Sequence, residues 1–199
     1  MSDVAIIDSG GANIASLMYA FKRLGTVAKL TRDATVIRSA PRVVLPGVGA
    51  ARDAMQRLQD AELVDVIRGL EQPVLGICLG RQLVCDAAEE DEVECLGVIP
   101  GVARKLAVQP DNPVPNMGWC ATYPGATHPV LDDIDAGSFF YFVHSYALPV
   151  SNHTLATARH GDEFSAIVGK DNFVAAQFHP ERSSAAGAQL LSNFLGMSA

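Results

Sequence analysis

Short apolar runs alternate with amphipathic stretches from Val4 to Glu90. Val4-Ala5-Ile6-Ile7 is apolar throughout and ends at Asp8, Ser9 and Gly10-Gly11. A run of this kind predicts a strand buried on both faces, followed by a loop. Ile14, Leu17, Met18, Phe21 and Leu24 then recur at helical spacing, which predicts a helix from Asn13 to Leu24 that stops at Gly25. Val27–Thr31 predicts a second strand. Val43-Val44-Leu45 predicts a third, ending in Pro46-Gly47-Val48-Gly49. Between Ala50 and Leu70, Ala54, Leu58, Ala61, Val64 and Ile67 mark a long amphipathic helix, continuous or once interrupted. Val74–Ile77 is the fourth strand, and a helix-like run from Leu79 to Glu90 follows it.

The pattern changes at about Glu92. Gly97–Val102 and Asn116–Trp119 are short strands punctuated by Gly and Pro, and Phe139–Tyr146 is a dense aromatic strand. Thr154–Ala158, Ser165–Val168 and Phe173–Phe178 predict further strands, with Lys170-Asp171-Asn172 turning the last hairpin. A final helix runs from Ala185 to Leu195. Alternating strands and helices imply an α/β fold, with a mostly parallel central sheet flanked by helices and a β-rich second half. No linker, repeat or low-complexity tract divides the chain, so residues 1–199 are expected to form a single domain. Ligands of such sheets bind at the carboxyl ends of the strands. Gly10-Gly11, Pro46–Gly49 and Gly76–Gly80 all fall there and should lie together.

Composition narrows the function. The 199 residues are 49% hydrophobic and 19% charged, enough for one sizeable core. The formal net charge of −7 argues against nucleic acid as a partner, because phosphate binding needs a basic footprint. No run of 18 or more apolar residues suggests a membrane span. The N-terminus lacks a basic segment and passes straight into a strand, so a cytoplasmic protein is expected. No C-x-x-C pair and no His/Cys zinc spacing occurs, and neither G-x-G-x-x-G nor a Walker pattern is present. No metal or cofactor is therefore expected.

The chemistry points to Gly76-Ile77-Cys78-Leu79-Gly80. An apolar run meets a helix-like run at a cysteine flanked by glycines two residues to either side. This is the layout of a nucleophile elbow, whose strained backbone tolerates only small neighbours. A helix N-terminus behind the sulfur would favour the reactive thiolate. A buried cysteine on an ordinary strand-to-helix turn fits the same residues. Cys85, Cys95 and Cys120 have no comparable context.

Among the five histidines, His128, His144, His153 and His160 have structural explanations. His179 differs. It follows the apolar stretch Phe173–Phe178 and is followed by Pro180 and Glu181, so it supplies a base with a carboxylate to orient it. The backbone N–H of Leu79 and the Pro46–Gly49 loop could serve an oxyanion.

Together, Gly76–Gln82, Pro46–Gly49 and His179-Pro180-Glu181 resemble the class I (triad) glutamine amidotransferases, of the flavodoxin-like type. Within that family the likeness is to the glutaminase subunits of imidazole glycerol phosphate synthases, in histidine biosynthesis. Asp8–Asn13, Leu45–Gly49, Met117-Gly118-Trp119, Tyr141–Tyr146 and Gln177–Ser183 carry it along nearly the whole chain.

The resemblance implies a role for each of these residues. Cys78 attacks the side-chain amide of L-glutamine and forms a γ-glutamyl thioester. His179 moves the protons, and Glu181 orients it. Val48, Gly49 and Leu79 hold the oxyanion. Gly47, Gln82, Glu90, His144, Ser145 and Tyr146 serve the glutamine pocket, with Glu90 suited to the α-ammonium. Ammonia passes to a (β/α)8-barrel cyclase partner in a heterodimer. That partner makes imidazole glycerol phosphate and aminoimidazole carboxamide ribotide.

Three positions depart from the family pattern. Arg81 stands where methionine is usual, Asn116 where histidine is common, and Cys120 where asparagine is common. Other readings of the same residues are a glutaminase of another pathway, such as pyridoxal phosphate synthesis, and a non-catalytic amidotransferase-like module. Intact Cys78, His179 and Glu181 speak against the module. The late position of His179 speaks against a DJ-1-like hydrolase or chaperone.

Overall fold

A computed structural model describes residues 3–10 and 14–198. In chain order the elements are β1 (Val4–Ile7), α1 (Ile14–Arg23), β2 (Ala28–Thr31), α2 (Ala34–Ser39), β3 (Val43–Gly47), α3 (Ala51–Asp60), α4 (Val64–Arg68), β4 (Val74–Cys78) and α5 (Leu79–Leu83). They continue with β5 (Cys85–Ala88), β6 (Val93–Glu94), β7 (Ile99–Lys105), β8 (Asn116–Pro124), β9 (Ser138–His144), β10 (Tyr146–Ala147), β11 (Thr154–His160), β12 (Asp162–Lys170), β13 (Phe173–Ala176) and α6 (Ser184–Gly196).

The main sheet has the order β2-β1-β3-β4-β13-β12-β11-β8-β9. From β2 to β13 neighbouring strands are parallel. From β13 to β9 they are antiparallel. A small second sheet, β10-β7-β5-β6, lies beside it.

The uniformly apolar strands are apolar because both faces are covered. Alternate side chains of β1 enter different cores. Ala5 and Ile7 join Ile37 of α2, Leu58 of α3 and Ile67 of α4. Val4 and Ile6 join Phe21 of α1 and Leu190, Leu191 and Phe194 of α6. The expected α/β architecture is therefore present, with its β-rich second half continuing the sheet in antiparallel fashion.

The local expectations need three corrections. The run from Leu79 to Glu90 is not one helix. Helix α5 ends at Leu83, and Cys85–Ala88 become a strand paired with β6 and β7. Over so short a stretch the apolar residues fit either period, and the pairing partners decide. Of the two forms expected for the helix from Ala50 to Leu70, the once-interrupted one is present: Glu62 adopts φ 55° between α3 and α4.

Helix α2 was not expected, although its signal is local. Asp33 caps it, accepting from the N–H groups of Thr35 at 2.8 Å and Val36 at 3.4 Å. Finally, the aromatic strand stops at His144, and Tyr146 pairs in the second sheet instead. Gly11, Ala12 and Asn13, part of the Asp8–Asn13 stretch and of the expected first helix, lie outside the described residues.

Candidate functional site

The parallel strands β3, β4 and β13 bring three distant segments to one sheet end. Gly47 pairs with Cys78 across β3 and β4. Ala176 pairs with Ile77 across β13 and β4, which carries His179 to the elbow. Ser9, just beyond β1, donates to the Pro46 carbonyl at 2.7 Å. The Gly10, Pro46–Gly49 and Gly76–Gly80 loops are neighbours, as the strand pattern predicted.

Cys78 sits between β4 and α5 with φ 55° and ψ −109°. A non-glycine residue in the positive-φ region is strained, and such strain accumulates at functional turns. The turn closes tightly behind it. A Cβ on Gly80 would overlap the Leu45 carbonyl oxygen and lie 2.8 Å from its carbon.

His179 follows β13 and opens a 3₁₀ turn, Pro180–Arg182. Its backbone is held at two points, which a third bond links. His179 N–H donates to the Tyr141 carbonyl at 2.9 Å. Ser183 Oγ donates to the His179 carbonyl at 2.6 Å and accepts from the Tyr141 N–H at 3.0 Å. The imidazole is fixed too, because its Nδ1 lies 2.9 Å from Glu181 Oε1. A carboxylate there makes Nδ1 the donor and leaves Nε2 free for other chemistry.

Cys78 and His179 face a common cavity of about 250 Å³. Val48, Gly49, Leu79, Gln82, Glu90, His144, Ser145 and Tyr146 also line it. Two expected residues lie elsewhere. Glu181 stands behind His179. Gly47 does not reach the cavity: a Cβ there would meet Leu79 Cβ at 2.9 Å, so the glycine lets β3 approach α5. Its expected place in the glutamine pocket is corrected to a packing position beneath it.

Sequence reasoning did not single out Pro115 or Val143, which also line the cavity. The Val143 carbonyl accepts from Cys78 Sγ at 3.7 Å. A backbone acceptor leaves no trace in residue type, so no sequence signal could have found it.

The electrostatics separate the two buried histidines. Burial pushes the His179 pKa down, but its hydrogen bonds with Cys78 and Glu181 and their charges outweigh burial and raise it to about 10. Burial pushes His144 down to about 3, with the Arg81 cation adding to the effect. His144 is therefore neutral. Its Nδ1 donates to the Tyr146 carbonyl at 3.0 Å, and Nε2 accepts from Asn116 Nδ2 at 3.1 Å.

Glu90 has one visible tie. Its Oε2 accepts from the Ala51 N–H at 3.4 Å, at the N-terminus of α3. The other carboxylate oxygen is not used in that bond.

A small, partly polar cavity with a strained thiol and an oriented imidazole is the geometry of covalent chemistry on a small carbonyl compound. The fold carrying it is that of an α/β enzyme. The family description "Glutamine amidotransferase class-I" matches residues 5–197, and the chain belongs to that family.

Among curated proteins it is similar to the imidazole glycerol phosphate synthase subunit HisH of Shewanella oneidensis. The two are 47% identical over 98% of this chain and 96% of that protein. It is likewise similar to the protein of the same name from Xylella fastidiosa, 46% identical over 100% of both chains. Among solved structures it resembles a proposed GMP synthase component from Thermoplasma acidophilum. The TM-score is 0.74, with 98% of this chain and 93% of that one covered at 18% identity. That likeness bears on the fold alone.

Proposed function

We propose that this chain is the glutaminase subunit of an imidazole glycerol phosphate synthase, in histidine biosynthesis. It hydrolyses L-glutamine and delivers ammonia to a (β/α)8-barrel cyclase in a heterodimer. The observation that most supports the chemistry is the meeting of Cys78 and Glu181-bound His179 at one cavity. The full-length relatives support the pathway. The four free cysteines are in keeping with action in the reducing cytoplasm.

The geometry supports the following reaction. The Cys78 thiolate attacks the side-chain amide carbon of glutamine, and the carbonyl oxygen becomes an oxyanion. The N–H groups of Leu79 and of the Val48–Gly49 peptide stabilise it. Protonated His179 gives its proton to the leaving nitrogen, and ammonia departs, leaving a γ-glutamyl thioester. The thiolate charge that helped raise His179 is then gone, so the imidazole holds a proton less tightly and is a usable base. It takes a proton from water, which attacks the thioester. Glutamate is released and the thiolate re-forms. Gln82, Glu90, Ser145 and Tyr146 surround the rest of the substrate, with Glu90 opposite its α-ammonium.

The sign of the pH dependence follows. His179 is protonated up to about 10, so the acylation rate of the complex should fall as pH rises through that region. Glu181→Gln removes a negative neighbour and should move this alkaline limb to lower pH. Pre-steady-state ammonia release against pH measures both. An unmoved limb in Glu181→Gln would deny Glu181 its role.

Ammonia made without an acceptor is glutamine wasted, which favours control by the partner. Gly49 has φ 93°, with open space where a Cβ would point, and a glycine there gives the Val48–Gly49 peptide a freedom that other residues lack. We expect the isolated chain to lack this oxyanion donor and the partner to turn it inward. One such donor is worth roughly 10²–10³ in rate. Glutamate release by the chain with and without the barrel protein tests this, and full activity of the lone chain at saturating glutamine would sink it.

A further inference from the structure

Arg81 is the largest fully buried side chain among the described residues, with 0% exposure. It lies on α5, three positions beyond Cys78, and does not line the cavity. Its Nη2 donates to Gln177 Oε1, while Nε and Nη1 have no partner among the described residues. Gln177 is itself fully buried, two positions before His179. Among the described residues no carboxylate forms an ion pair with Arg81. A guanidinium in such a place costs folding free energy, and something must offset or use it.

The charges around Cys78 show what it serves. His179 after β13, His144 of β9, Tyr146 of β10 and Glu90 of the turn after β5 line the cavity with Cys78; Glu181 stands behind His179, and Arg81 of α5, with Cys85 bonded to its carbonyl, lies outside the cavity. In the thiolate–imidazolium state Cys78 and Glu181 are negative and His179 is positive, which leaves the buried group with one excess negative charge. Neutral His144 cannot cancel it. Cys85 adds no charge, because burial pushes its thiol up to about 12. Arg81 is the buried cation left to balance the group. Burial, opposed by Cys85 and Cys78, lowers it only to about 10, so it stays charged at neutral pH.

We propose that Arg81 is a positioning residue for the glutaminase reaction: its guanidinium, held behind the elbow by Gln177, stabilises the Cys78 thiolate before substrate or partner arrives. The inference rests on Cys78 being the nucleophile.

The test compares Arg81→Met and Arg81→Gln with Arg81→Lys in the full chain. The rate of Cys78 alkylation by iodoacetamide is followed against pH by mass spectrometry of the Cys78 peptide, with urea unfolding alongside. In both neutral variants the rise of alkylation with pH should move up by about one unit, about tenfold less thiolate on the acid side. Arg81→Lys should stay close to wild type. The neutral variants should unfold no more readily than wild type, since an unpaired buried cation has been removed.

Neutral variants with the wild-type profile overturn the inference. So does loss of folding in both, which would make Arg81 a structural requirement. A wild-type chain in which Cys78 resists alkylation at every pH fails at the earlier step, the assignment of the nucleophile, and is recognised without any variant.

Discussion

Cys78→Ala should abolish glutamine-dependent synthesis by the assembled synthase and leave synthesis from added ammonia intact. The expected loss with glutamine is on the order of 10⁵-fold, because an alanine offers no nucleophile and the remaining donors act only on an intermediate that no longer forms. The ammonia-dependent rate is the control that gives the result its meaning. That reaction needs the cyclase and the docked complex but not the thiol. Cys78 is 8% exposed at a turn whose backbone is already strained, and alanine fills less space than cysteine, so the fold should tolerate the change. Steady-state product formation with each nitrogen source decides it. Loss of both activities would mean that Cys78 holds the elbow or the interface together.

Gly80→Ala should destabilise the protein by about 3 kcal/mol or more and lower the urea midpoint by roughly 1 M. The added Cβ overlaps the Leu45 carbonyl oxygen. Both groups belong to the backbone, one on α5 and one on β3, so no side-chain rotation relieves the clash. Relief requires α5 to move away from β3, shifting the Leu79 N–H relative to the Cys78 sulfur and the Val48–Gly49 peptide. Glutaminase activity should therefore fall even under conditions in which the variant is folded. By contrast, Gly49→Ala meets no neighbour and carries only the cost of its positive φ. Urea unfolding of Gly80→Ala with an unchanged midpoint would show that the elbow is not packed as tightly as described.

Much of this site was legible because its chemistry depends on residue type in short, local patterns. Gly76–Gly80 announces a turn that only small residues permit. His179-Pro180-Glu181 keeps a base and its carboxylate within one turn, and the 2.9 Å bond between them needs no distant partner. Strands β1, β3 and β4 were legible because burial on both faces leaves no polar position in them.

The failures share a cause. Cys85–Ala88 could form a helix or a strand on local grounds, and β6 and β7 chose the strand. Gly47 looked like a pocket residue because it lies beside Val48 and Gly49, yet its Cα faces Leu79. Val143 entered the site through a carbonyl that every residue has.

The sequence by itself determined the layered α/β plan, the elbow at Cys78 and the histidine–carboxylate pair, since each is written in apolar periodicity or in neighbouring residues. Only the tertiary structure decided that β13 lies against β4, and so that His179 reaches Cys78. It alone decided that Arg81 of α5 is fully buried and, among the described residues, has no carboxylate partner. Strand order and the fate of a buried charge depend on contacts between segments far apart in the chain, and no local pattern encodes which distant segment a residue will meet.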